Sequence, residues 1–210
     1  MSWPASPAAP WCVRTRPAGN EARLAADVSK TVLVTRLAGA AILCLKREDA
    51  DVGLVRISYQ RGQILPTNAG ASAYVLRGWM PGPEVDAKLD AARFEPFTER
   101  TLAAKRDRMR QRRETRKRGY AVSRGEIDGD VLGVAGRLHN KAADGVAAIS
   151  IAAVFARVAD ERLPQLPESV RDAAEEITTA LAHGNSVRPR RVHVRPNRRR
   201  NQTWGRRCHG

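Results

Sequence analysis

Residues 118–153 constrain the fold more than any other stretch of the chain. A segment dense in Arg and Lys ends at Arg118-Gly119, and glycine is the residue that most readily closes a helix in a left-handed turn. Tyr120–Ser123 follows with no spacer and reads as a strand. An acidic loop with Glu126, Asp128 and Asp130 comes next. Two apolar runs, Leu132–Leu138 and Val146–Ala153, then read as short strands rich in small and β-branched residues. That order calls for a sheet with helices packed on it.

The flanking segments extend the same pattern. Residues 1–20 are rich in Pro, Ala and Gly and read as a flexible leader. Residues 21–26 could be the last turns of a helix. Thr31–Leu37 and Ala40–Lys46 are two apolar runs separated by Ala38-Gly39, a hairpin signal. Gly53–Tyr59 reads as a third strand, and Gly62–Pro66 as a turn. Asn68–Gly78 and Pro83–Ala92 read as short helices. Residues 99–118 read as a longer surface helix, whose Leu102 and Met109 leave only a thin apolar stripe. Asp160–His183 is predicted as the last helix, with Val170, Ala173, Ala174, Ile177, Ala180 and Leu181 on one face. From Asn185 the chain is Arg-rich, interrupted by Pro189 and Pro196, and is expected to be disordered. The predicted class is α+β, with a mostly antiparallel sheet.

Charge and composition limit the function. The formal net charge is +15. Residues 185–210 carry +9 of it and residues 105–118 carry +7, so the rest of the chain is close to neutral. The basicity belongs to one helix and one tail, and is not spread over a DNA-reading face. No apolar run approaches the roughly 20 residues needed to cross a bilayer. Cys12, Cys44 and Cys208 are isolated, which argues for a reducing compartment and a cytoplasmic protein. No phosphate-binding glycine loop is present, and no nucleophile–base pair stands out, so neither a cofactor nor an enzyme is expected. His183, His193, Cys208 and His209 fit no zinc spacing, and no metal site is expected.

Several landmarks, in order, resemble the effector-binding domain of IclR-type bacterial transcription regulators. They are Leu24-Ala25 to Thr31-Val32, Leu54–Ser58 with Gly62 and Leu65-Pro66, and Ala69–Leu76. The most specific are Arg118-Gly119-Tyr120-Ala121 and Ala148-Ile149-Ser150-Ile151. The resemblance spans about residues 24–183. It implies a six-stranded, GAF-like or profilin-like sheet, with an effector domain over residues 21–184 and an Arg-rich tail over 185–210. It also implies a pocket for a small organic or aromatic acid at one end of the sheet. Carried over by position, the pocket would be lined by Ile57, Leu65, Ala71, Ser72, Ser123, Val131, Gly133, Ser150 and Ala152. Backbone N–H groups at the start of the helix after Asn68 would hold a carboxylate at the positive end of the helix dipole. Ser72 and Ser150 would add hydroxyl donors.

The chain also departs from the family pattern. Asn68 stands where a His is common, and Ala73-Tyr74 replaces Gly-Lys. Gly133 replaces a frequent Cys, Ala152 a polar residue, and Gly136-Arg137 an Ala-Pro pair. These changes remove polar anchors from the pocket. Only about 23 residues precede the matched region, so no recognition helix is placed there. The expected partners are a small organic acid and further copies of the chain, with no membrane. DNA would be reached through a missing domain, a partner subunit or the tail. A second reading uses that tail. Arg198, Arg199, Arg200, Arg206 and Arg207 beside Trp204 would bind nucleic acid without sequence specificity, by phosphate neutralisation and stacking. The Glu126–Asp130 loop reads as a solvated acidic loop.

Overall fold

The computed structural model describes residues 20–38, 41–50, 59–80, 96–139 and 147–183. Their elements run α1 (Asn20–Val28), β1 (Thr31–Ala38), β2 (Ala41–Glu48), β3 (Ile64–Leu65) and α2 (Ala71–Gly78). The second half runs α3 (Lys105–Arg118), β4 (Tyr120–Arg124), β5 (Val131–Leu138), β6 (Ala147–Val154) and α4 (Leu166–His183). The six strands form one sheet in the order β3-β2-β1-β6-β5-β4. Every neighbouring pair is antiparallel. The α+β class expected from the sequence is present.

β6 lies inside the sheet, and helices cover both of its faces. Contacts place α2 over β4, β5 and β6, with α3 beside it, while α4 packs on β4, β5 and β6 and joins α1. A strand buried on both faces reads as a continuous apolar run and not as an alternation, because every side chain meets a core. Ala147–Ala153 is such a run, buried at every position. Alternation still decides which core each residue enters. Leu33, Ala121, Ala135 and Ala148 pack with Tyr74, Val75 and Leu76 of α2. Val32, Val134, Ile149 and Ile151 are fully buried on the other side of their strands. Each such aliphatic side chain contributes about 1.5–3 kcal/mol relative to exposure.

Small residues set the depth of this packing. A Cβ on Gly136 would lie 3.0 Å from Val170 Cγ1 and 3.1 Å from Ala174 Cβ, so α4 rests directly on the β5 backbone. At the junction named at the outset, Gly119 has φ 81° and its N–H donates to the Thr115 carbonyl at 2.9 Å. That left-handed cap stops α3 and feeds β4 without a linker.

Several boundaries differ from the sequence expectation, each for a local reason. α3 begins at Lys105 and not at residue 99. The Thr101 hydroxyl oxygen accepts the N–H groups of Phe97 and Thr98, both at 3.0 Å, and holds that segment in a non-helical turn. α4 begins at Leu166 and not at Asp160. Pro167 lacks an N–H and is tolerated only in a first turn, so a helix started at Asp160 would have placed it in the interior. Asp160–Arg162 forms a separate tight turn instead. Within the expected turn 62–66, Ile64 and Leu65 pair with Leu43 and Ile42 as β3. α2 starts at Ala71, not Asn68, because Gly70 stands outside the helix at φ 90°, ψ 155°. The expected strand up to residue 58 and the expected helix Pro83–Ala92 lie outside the described residues, as do residues 1–19 and 184–210.

Candidate functional site

The N-terminus of α2 points at the ends of β4, β5 and β6. Between them lies a cavity of about 50 Å³. Leu65 enters it from β3, Ala71 and Ser72 from α2, and Ser123 from β4. Val131 and Gly133 enter from β5, and Ser150 and Ala152 from β6. The topology thus brings eight of the sequence-expected residues to one place. Ile57 lies outside the described residues, as do Arg198, Arg199, Arg200, Arg206 and Arg207 of the tail, and the side chain of His183 with His193, Cys208 and His209.

The polar chemistry of the cavity differs from the sequence expectation in two respects. The first backbone donors of α2 are already engaged. Gly70 N–H donates to Glu126 Oε2 at 3.2 Å, and Ala71 N–H donates to Ser123 Oγ at 3.0 Å. The donors expected to hold a ligand carboxylate are capped by the chain itself, because a buried N–H without an acceptor is costly. Among the described residues no acceptor meets the N–H groups of Ser72 and Ala73, the next two of the same turn. The Ser72 hydroxyl donates to Ser150 Oγ at 3.0 Å, so the two serines form a pair and not two separate donors.

The second correction concerns the acidic loop. Asp128 and Asp130 are exposed, but Glu126 is buried. Its carboxylate also accepts a short hydrogen bond from the Tyr74 hydroxyl. Burial pushes the Glu126 carboxyl above the usual range, while the bonds from Tyr74 and Gly70 pull it partly back. Burial, the Glu126 charge and the bond to Glu126 push the Tyr74 phenol upward, so it remains a donor. The Thr101 hydroxyl donates to the Glu126 carbonyl at 2.7 Å, and Thr98 Oγ1 donates to Gly125 O at 2.6 Å. These bonds draw the 97–101 turn and the 125–127 segment together and turn Glu126 inward.

Glu126 and Tyr74 were not visible as a pair in the sequence. Fifty-two positions separate them, and an acidic residue beside two exposed aspartates carries no mark of burial. Leu33, Tyr59, Pro66 and Ile127 also line the cavity. Ile127 Cδ1 stands 2.7 Å from where a Gly70 Cβ would be, so only glycine combines the left-handed backbone with that contact. Gly133 is as constrained. A Cβ there would lie 2.6 Å from Ser123 Oγ and 3.3 Å from Ala71 Cβ. The glycine that replaces the family's cysteine thus lets α2 close onto β5. Among the described residues no cluster of His, Cys, Asp and Glu could hold a metal. Among them, too, no helix is long and apolar enough to cross a membrane.

The sheet order defines an α+β fold shared with solved bacterial transcription regulators. A regulator of Rhodococcus sp. RHA1 superposes with TM-score 0.74 at 27% identity, over 79% of this chain and 68% of that one. The inducer-binding domain of the PobR transcription factor of Acinetobacter, as a double mutant in complex with 3-hydroxybenzoic acid, superposes with TM-score 0.68. That match has 21% identity over 76% of this chain and 93% of that one, and shows the fold alone. The family model "Bacterial transcriptional regulator IclR C-terminal" matches residues 14–179. This chain belongs to that family. It is 32% identical over 131 residues to the HTH-type transcriptional regulator XynR of Escherichia coli K12, covering 62% of this chain and 52% of XynR. The chain spans about half the length of that relative. The family match ends before the Arg-rich tail, and nothing in these comparisons supports a nucleic-acid role for that tail.

Proposed function

We propose that this chain is the small-molecule-sensing part of an IclR-type transcription regulator, acting without catalysis in the cytoplasm. The observation that carries the reading is the cavity at the N-terminus of α2. Apolar walls surround a few convergent polar groups there, and two first-turn N–H groups have no acceptor among the described residues. Such donors at a helix N-terminus attract an anionic or strongly polar head group. A small organic or aromatic acid is the effector class this reading assigns. The 3-hydroxybenzoic acid complex of the PobR domain, which shares the fold, supports it. Residues 21–184 form the sensing unit, flanked by a leader and an Arg-rich tail. Further copies of the chain complete an oligomer, and DNA is reached through a partner domain or subunit. The buried, free Cys44 agrees with a reducing compartment.

At about 50 Å³ the cavity is far below the roughly 300–1,000 Å³ of an occupied ligand pocket. A ligand of aromatic size must therefore displace part of the wall, and that displacement is the signal a sensing domain needs. A thermal-shift screen of the full chain against small carboxylates and aromatic acids tests the reading. At about 100 times Kd an effector adds roughly 2.7 kcal/mol. For a chain of this size that corresponds to a rise of about 5–10 °C. The rise should vanish in Ala152→Leu, which fills the cavity. A flat response to every acid overturns the assignment.

A further inference from the structure

Glu126 places a carboxylate in the wall of the cavity, and no Lys, Arg or His among the described residues lines it. Both of its hydrogen bonds fall on Oε2, from the Gly70 N–H at 3.2 Å and from the Tyr74 hydroxyl. Oε1 accepts no hydrogen bond from a described residue. The charged and titratable groups around this pair include Arg77 on α2, Arg108 on α3, Arg100 against Gly125, and Tyr59 and Asp128 in the loops. None of these arginines lines the cavity. A ligand carboxylate held at the start of α2 would thus share a small, largely apolar space with a second carboxylate. Two carboxylates in one such site cannot both stay ionised; they hold one proton between them.

Resting on the reading of this cavity as the effector site, we infer that an acid binds here only together with one proton, shared between its carboxyl group and Glu126. The proton comes from solvent and no covalent bond changes. The anionic acid, the Glu126 carboxylate and one proton give a hydrogen-bonded acid–carboxylate pair, with Oε1 as the free partner. The raised affinity of Glu126 for a proton, caused by burial, favours this state. Effector affinity then depends on pH, and a neutral amide of the same shape binds without that dependence.

Isothermal titration of the full chain with 3-hydroxybenzoate and with 3-hydroxybenzamide, in two buffers of different ionisation heat, counts the protons. At pH values above the native titration of Glu126 the acid should take up close to one proton and lose about tenfold in affinity per pH unit. The amide should take up none. Glu126→Gln, which keeps the shape and removes the charge, should bind the acid with no uptake and a flat pH profile. Should that variant fail to fold, the proton count on the wild-type chain decides alone. Acid binding to the wild-type chain without proton uptake, in the pH range where stability shows Glu126 to be ionised, overturns the inference and leaves the effector assignment standing. Amide binding without acid binding at pH 6 also overturns it. Binding of neither compound overturns the inference, while the acid-sensing assignment falls only with a flat response to every acid in the thermal-shift screen.

Discussion

The phenol of Tyr74, on α2, donates its hydrogen to the carboxylate of Glu126, on the loop between β4 and β5. The same carboxylate oxygen receives the Gly70 N–H at 3.2 Å. One buried acid thus ties the start of α2 to the sheet and forms part of the cavity wall.

Removing the donor tests that tie. Tyr74→Phe leaves the ring packing in place and strips Glu126 of its side-chain hydrogen-bond donor. A hydrogen bond to a charged, buried group is worth about 1.5–3 kcal/mol, so the midpoint of urea unfolding should fall accordingly. The slope of the transition should not change, because the surface exposed on unfolding is the same.

The pH dependence of stability follows from Glu126. Its native carboxyl lies above its ordinary value of 4.5, with burial as the largest cause. A raised carboxyl binds its proton more tightly in the folded chain than in the unfolded one. Its contribution is therefore complete below the ordinary value and is lost as pH rises through the native value. Glu126→Gln should remove this decline. Chemical denaturation from about pH 4 to pH 8 should show stability differences between the two chains that change in favour of the variant as pH rises.

Gly133 carries a steric prediction. Gly133→Ala sets a methyl 2.6 Å from the Ser123 hydroxyl and 3.3 Å from the Ala71 methyl. The serine must rotate away from the Ala71 N–H, and overpacking of this kind costs about 1–3 kcal/mol. The double variant Gly133→Ala, Ser123→Ala should recover part of the loss, because the obstructing oxygen is gone. Calorimetry of the two single variants and the double variant measures this coupling.

Thr101 is expected to be sensitive although it does not line the cavity. Its side-chain oxygen serves the N–H groups of Phe97 and Thr98 and donates to the Glu126 carbonyl. Thr101→Val keeps the shape and leaves these groups unpaired, at about 1–3 kcal/mol. Hydrogen exchange should accelerate at residues 97–101 and 125–127 before it does so in β6.

Like charges meet where α3 passes β5. Arg137 stacks 5.1 Å from the Trp79 ring, and burial together with the nearby Arg116 lowers its proton affinity. Arg116→Gln should raise stability by a few tenths of a kcal/mol at low salt, as the relief of like-charge pairs does. The gain should shrink at about 1 M salt, where the screening length is near 3 Å.

Local chemistry made much of the fold legible in the sequence. Arg118-Gly119 ends α3 because glycine accepts a positive φ without strain, and β4 starts at once because nothing separates it from the cap. The apolar runs of β5 and β6 are long enough for strands and too short for buried helices. Boundaries went astray where a side chain overrode the pattern. The Thr101 hydroxyl did so at the start of α3, and Pro167 did so at the start of α4. Position within the family pattern also indicated the small residues of the cavity, since Ala71, Gly133 and Ala152 mark a close approach of helix and sheet.

What the sequence by itself determined is the order of most strands and helices and the buried Val170, Ala173, Ala174 and Ile177 face of α4, because periodicity and caps act over a few residues. Only the tertiary structure decided what the cavity offers chemically. It buried Glu126 ahead of two exposed aspartates, gave the Gly70 and Ala71 donors to Glu126 and Ser123, and paired Ser72 with Ser150. Those bonds join residues more than fifty positions apart. A hydrogen bond depends on distance and direction in space, and no local pattern records either until the sheet is assembled.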